Sequence, residues 1–162
     1  MKKLIFVLLL IAAFALGWYF ISPAFIVLEA NEESPVLETS TQNNTKEEPP
    51  SLTSKVTSET SVLASADFKE GAHEVKGKVL LIETAKGKVL RFEDFETING
   101  PNLHIYLSSD LNAKDYIDLG EIKATKGNVN YEVPSSVDLS KYNKVLVWCE
   151  PFKVLFSYAE LE

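Results

Sequence analysis

The chain has 162 residues, 46% of them hydrophobic and 24% charged, with a net charge of −7 and a single Cys. That length holds one ordinary domain with attachments, and the composition fits neither a disordered nor a fibrous protein. The acidic balance argues against nucleic acid as a partner, because phosphate binding needs clustered Lys and Arg; one Cys rules out an intramolecular disulfide and any zinc site of several thiolates.

Three parts differ in composition. Net charge is +1 over residues 1–30, −4 over 31–65 and −4 over 66–162, which together give −7. In the first part no charge interrupts Leu4 to Leu28. A bilayer core of ~30 Å takes ~20 apolar residues in a helix, so this run predicts an N-terminal transmembrane helix with the membrane as partner through residues 4–28. Lys2 and Lys3 ahead of it predict a cytoplasmic N-terminus, hence a single-pass protein whose C-terminal domain is extracytoplasmic. The alternative is a cleaved signal peptide and secretion. Its apolar region normally spans ~7–15 residues, and the best cut, after Ala30, has the bulky Leu28 at −3.

Residues 31–65 contain thirteen Ser or Thr, six Glu and three Pro, with no aromatic residue and no glycine. Such a segment has too little to bury to offset the entropy of ordering it, which predicts a disordered linker. As a coil it would span on the order of 30–35 Å.

Residues 66–162 read as all-β. Leu103, Ile105 and Leu107 alternate with His104 and Tyr106; Val129, Tyr131 and Val133 alternate with Asn130 and Glu132. Val145, Val147 and Cys149 alternate with Leu146 and Trp148, and Phe152, Val154, Phe156 and Tyr158 alternate with Lys153, Leu155 and Ser157. Period two is the strand signature. Thr84–Lys88 predicts a hairpin, and Asn99-Gly100-Pro101 a turn. The expectation is an antiparallel β-sandwich or barrel of about seven or eight strands.

Two strong strands flank Glu150-Pro151, and neither residue suits a two-residue hairpin turn, which needs positive φ at its first position. The spacing therefore predicts a bend there rather than a reversal, with Cys149 at the kink between Trp148 and Phe152. A thiol so placed serves as a reactive group or a ligand, with Trp148 and Phe152 lining a pocket or the face of a cofactor. A functional thiol also needs a nearby cation or donor, for which His73 and Lys153 are the candidates. The competing reading is a small buried hydrophobe continuing the Val145 and Val147 face, which spacing alone favours.

Other chemistry finds less support. A His₂Cys copper site from Cys149, His73 and His104 lacks a following His or Met. Haem on Cys149 or a His remains a candidate cofactor, without a Cys-x-x-Cys-His attachment motif. The acidic run Asp110, Asn112, Asp115, Asp118 and Glu121 departs from a calcium loop at Lys114 and at Asp115, where Gly is needed, and reads as a solvated loop. Glu93, Asp94 and Glu96 read as solvent-facing charges. No hydrolase elbow, zinc-protease helix or phosphate loop is present, so no catalytic reaction and no metal site is assigned.

Phe68, His73, Val75-Lys76-Gly77, Asn99-Gly100-Pro101-Asn102-Leu103, Leu119-Gly120, Gly127-Asn128, Tyr131-Glu132-Val133-Pro134, Val147-Trp148-Cys149 and Val154-Leu155-Phe156 follow one another in a familiar order. On these motifs residues 67–161 resemble the DM-thirteen domain family, often labelled an electron-transfer domain. The resemblance implies a β-rich extracytoplasmic module whose signature Cys works in redox chemistry, as a bare thiol or holding a prosthetic group, and Cys149 matches that position. Two functions follow. One is a membrane-tethered redox module acting through Cys149 with a redox partner. The other is a non-catalytic module that binds a protein or glycan, with Cys149 merely packed.

Overall fold

The computed structural model describes residues 2–21, 26–35 and 60–162. Among these residues one helix, α1 (Lys2–Ile21), precedes ten strands: β1 (Glu29–Asn31), β2 (Ser61–Asp67), β3 (Lys69–Glu70), β4 (Val75–Thr84), β5 (Gly87–Thr97), β6 (Leu103–Ser108), β7 (Tyr116–Glu121), β8 (Lys126–Val133), β9 (Lys144–Cys149) and β10 (Val154–Glu160). Most of the expected linker lies outside the described residues.

The expected transmembrane helix, and with it the single-pass topology and the extracytoplasmic location, is corrected. Among the described residues no helix is long and apolar enough to cross a membrane. The uncharged run is divided: α1 ends at Ile21, whereas Ile26–Leu28 are non-helical and lead into β1. With Lys2 and Lys3 at its start, the helix offers about 27 Å of uncharged length, from ~1.5 Å per residue, against a bilayer core of ~30 Å. A cut after Ala30 would pass through β1 itself.

The expected body of seven or eight antiparallel strands is corrected as well. Two five-stranded sheets form, in the orders β1-β8-β5-β4-β2 and β3-β10-β9-β6-β7. They pack over one core that draws Val79, Leu90, Phe92 and Val129 from the first sheet and Ile105, Leu107, Val145, Val147 and Cys149 from the second. Phe68, Phe92, Phe95 and Tyr131 cluster within it at centroid distances of 4.9–5.2 Å. Burial pushes the Tyr131 phenol up to about 12, and its oxygen accepts the Lys123 N–H at 2.9 Å. The extra strands come from segments whose core-facing residues are few or small. β1 and most of β2 precede residue 66, in stretches read as anchor and linker, and β1 pairs with β8 in parallel.

That parallel pairing fastens the leader to the domain. Thr125 and Lys126 N–H groups donate to Leu28 O at 2.7 and 3.0 Å, and Glu32 N–H donates to Asn128 O at 2.8 Å. At Gly127, φ is +112°, and an added Cβ would meet Ala30 O at 2.0 Å, so only glycine permits this approach. Arg91 is buried beneath. It donates to Glu32 O at 3.2 Å, Glu33 O at 3.1 Å, Asn130 Oδ1 at 3.1 Å and Glu93 Oε1 at 2.9 Å. Without the leader, two of those acceptors vanish from a buried cation.

Removing residues 1–35 is therefore expected to lower the unfolding free energy of the remainder by roughly 2–4 kcal/mol in urea, from the lost charge-assisted and backbone hydrogen bonds. Gly127→Ala in the full chain should reproduce part of that loss. Equal midpoints and slopes for all three proteins would show that β1 contributes nothing.

Candidate functional site

Strand β9 is apolar at every position from Val145 to Cys149 and is buried on both faces. It lies between β6 and β10, with Cys149 opposite Leu103 on one side and Val154 on the other. Val145, Val147 and Cys149 face the main core, while Leu146 and Trp148 face away from it. A sheet of a two-layer fold normally leaves its outer face to water. Here the 109–115 loop covers that face, with Leu111 and Ala113 packed on Tyr106, Leu146 and Trp148. The loop read as solvated thus has an apolar underside. Its turn is held by Ser108 Oγ–H donating to Asp110 O at 2.6 Å and by Asn112 N–H donating to Asp110 Oδ1 at 2.7 Å.

The chain reverses after Cys149, which corrects the expected bend. Cys149 pairs with Val154, so the hairpin loop holds four residues, Glu150–Lys153, rather than two. The positive φ falls on Lys153, at +52°, and Glu150-Pro151 is spared it. A bulge between Leu155 and Ser157 then shifts the register of β10. It puts Phe156 and Ala159 in the main core, with Leu155 and Tyr158 on the outer face, where strict alternation had put Tyr158 beside Phe156.

Cys149 is completely buried. Its thiol donates to Pro101 O at 3.3 Å, and the Phe152 N–H donates to the sulfur. Burial pushes the thiol pKa up, with the Phe152 amide pulling the other way. Both partners are backbone groups. The Pro101 carbonyl is set by its neighbour Gly100, where a Cβ would meet Phe156 Cζ at 2.6 Å, so the Phe156 ring occupies the space of the missing side chain.

The structure separates the remaining residues singled out in the sequence. Trp148 is 7% exposed and lies on the opposite face of the sheet from the thiol. Phe152 is at the loop tip, 56% exposed, and brings its amide rather than its ring to the sulfur. His73 packs its ring on Phe156 at 4.0 Å and its backbone N–H donates to Phe156 O at 3.2 Å, so a phenyl ring is its neighbour. Lys153 pairs with Glu150, whose carboxylate raises the lysine pKa. His104 faces away from the core and its Nδ1 meets Asp118 at 2.9 Å. It sits across from Trp148, on the other face from Cys149.

A haem on Cys149 would need open space beside the sulfur. The thiol is enclosed by core side chains and two backbone groups, so these residues do not fit a haem in this arrangement. Among the described residues, no three His, Cys, Asp or Glu side chains converge on a possible metal position. The cleft bounded by Ile26, Val27, Glu74, Ile98 and Thr125 does not include Cys149.

Sequence reasoning missed the parts played by five residues. Pro101 was read as turn punctuation and as part of a family motif, although its carbonyl receives the thiol hydrogen. Gly100 and Phe156 form the packing that sets it. Tyr106 and Tyr116 stack at 4.1 Å beside Trp148, a grouping to which the shared alternation of Tyr106 and His104 was the available clue.

No curated protein and no solved structure matches the chain. Residues 67–161, more than half of it, match the family model described as Electron transfer DM13. The chain therefore belongs to the electron-transfer DM13 family.

Proposed function

We propose that the domain is a redox module in which Cys149 exchanges single electrons without leaving the core. The observation that carries this reading is the position of the one thiol in the family-matched region, enclosed at the end of β9 with its hydrogen on Pro101 O. Disulfide exchange, peroxide attack or alkylation requires a reagent in contact with sulfur. Electron tunnelling requires only proximity, so burial favours outer-sphere chemistry over group transfer.

The step balances simply. Cys149–SH gives one electron to a metal-centred acceptor and one proton to water, leaving a thiyl radical; a one-electron donor and a proton reverse it. The proton departs at Pro101, a half-exposed residue next to the exposed Asn102. The Phe152 N–H bonded to the sulfur favours the thiolate, and so assists loss of the proton.

A second reading has its own support. The raised pKa and complete burial also suit a packed, inert cysteine in a module that binds other macromolecules. Cys149→Ser separates the two. Titrated with hexachloroiridate(IV), a substitution-inert one-electron oxidant, the native protein should consume an equivalent that the folded Ser variant does not. Equal consumption by both proteins would leave the inert-cysteine reading.

The thiol also predicts a pH effect. Folding raises its pKa, so the folded state keeps a proton that the unfolded chain releases above its ordinary value of ~8.5. Stability should fall as pH rises through that range, and Cys149→Ala should remove this part of the slope while costing about 1 kcal/mol at neutral pH. Parallel curves of unfolding free energy against pH for the two proteins would contradict the raised value.

A further inference from the structure

The outer face of the second sheet carries a group of rings apart from the main core. Tyr106 stacks on Tyr116 with centroids 4.1 Å apart and planes 19° from parallel. On its other side lies Trp148, at 6.4 Å and 28°. Strand pairing fixes this geometry. Tyr106 lies opposite Asp118 on β7 and Leu146 on β9, so Tyr116 and Trp148 are its diagonal neighbours, within reach of aromatic side chains. Tyr106 is fully buried, whereas Tyr116 is 39% exposed. Trp148 directly precedes Cys149 in the chain. The three rings thus run from the protein surface to the residue beside the thiol.

We propose that Tyr116, Tyr106 and Trp148 form an electron relay, with Tyr116 as the surface port where a metal-centred one-electron acceptor docks. The relay rests on the reading of Cys149 as the redox group. The acceptor takes one electron from Tyr116, whose phenol proton passes to water. An electron from Trp148, passing through the Tyr106 ring, restores Tyr116 together with a proton from water. Trp148 is left as an indole radical cation with its N–H in place. Cys149 refills it and releases the thiol proton to water. The sum is one electron to the acceptor and one proton to solvent. A one-electron donor, with a proton from water, regenerates the thiol.

Tyr106 has a distinctive part in this. Its hydroxyl is buried and has no hydrogen-bond partner among the described residues. With no acceptor for its proton, Tyr106 is a poor resting place for an oxidised state and serves as a bridge. The orphaned hydroxyl also makes Tyr106→Phe a clean control, because it deletes an unsatisfied polar group and keeps the bridging ring, so the relay rate should survive it.

The test uses the full chain carrying Trp18→Phe, which leaves Trp148 as its one indole. A laser flash generates tris(bipyridine)ruthenium(III), and the tryptophanyl radical is followed by its absorption. Tyr116→Phe, which removes the oxidisable phenol, and Tyr106→Leu, which removes the bridging ring, are each expected to slow its appearance about tenfold or more, equivalent to ~1.4 kcal/mol of barrier or more. Circular dichroism confirms that both variants fold. An unchanged rate in the two variants overturns the relay, whatever Cys149 does. Adding Cys149→Ser to the Trp18→Phe chain separates the two ideas. A longer-lived Trp148 radical supports both. An unchanged lifetime, with the Tyr variants still slow, keeps the relay and removes Cys149 as its electron source.

Discussion

Strand β9 is apolar on both faces, and that constraint shapes the rest of the domain. The stretch Val145-Leu146-Val147-Trp148-Cys149 cannot be half-solvated, as a sandwich strand ordinarily is, so it requires cover on two sides. The first sheet supplies one cover and encloses Val145, Val147 and Cys149. Tyr106, Leu155, Tyr158 and the 109–115 loop supply the other and enclose Leu146 and Trp148. The thiol and the aromatic stack are therefore neighbours through one backbone, separated by the thickness of a sheet. The sulfur is buried on one face, and on the other the rings of Trp148, Tyr106 and Tyr116 run outward to the surface.

The domain depends on more chain than its family-matched region. Arg91 would be a buried cation with two hydrogen-bond acceptors fewer if Glu32 and Glu33 were absent. Burying a charge is tolerable only when it is paired and hydrogen-bonded, and the leader completes that condition from outside residues 67–161. Gly127 marks where the leader crosses closely enough to exclude any side chain.

Much of the β body was legible in the residues, because its central strands satisfy period two: β6, β8 and β9 lie where Leu103–Leu107, Val129–Val133 and Val145–Cys149 alternate. The hairpin between β4 and β5 falls at Thr84–Gly87, near the expected turn. β1 and β2 left no such mark. Glu29-Ala30-Asn31 and the Ser- and Ala-rich β2 are held by ladder hydrogen bonds and set only small alanines, Ala30, Ala64 and Ala66, against the core, and β1 pairs with a strand 97 positions away. The burial of Cys149 followed from the Val145 and Val147 face. Its partner Pro101 did not, since a backbone carbonyl 48 residues away leaves no trace in side-chain type. The hairpin at Glu150–Lys153 was misjudged because Phe152 looked like a strand residue and is instead a loop residue. In the N-terminal run, continuous apolarity concealed the change from helix to strand lead-in near residue 26.

The central claim is that a thiol can be closed to reagents and open to electrons in the same native protein. The most direct measurement follows iodoacetamide modification and one-electron oxidation of Cys149 side by side, in the folded full chain under identical conditions. The account predicts that an inert metal complex oxidises Cys149 while alkylation waits for unfolding. Alkylation as fast as oxidation, or oxidation only after unfolding, would contradict it.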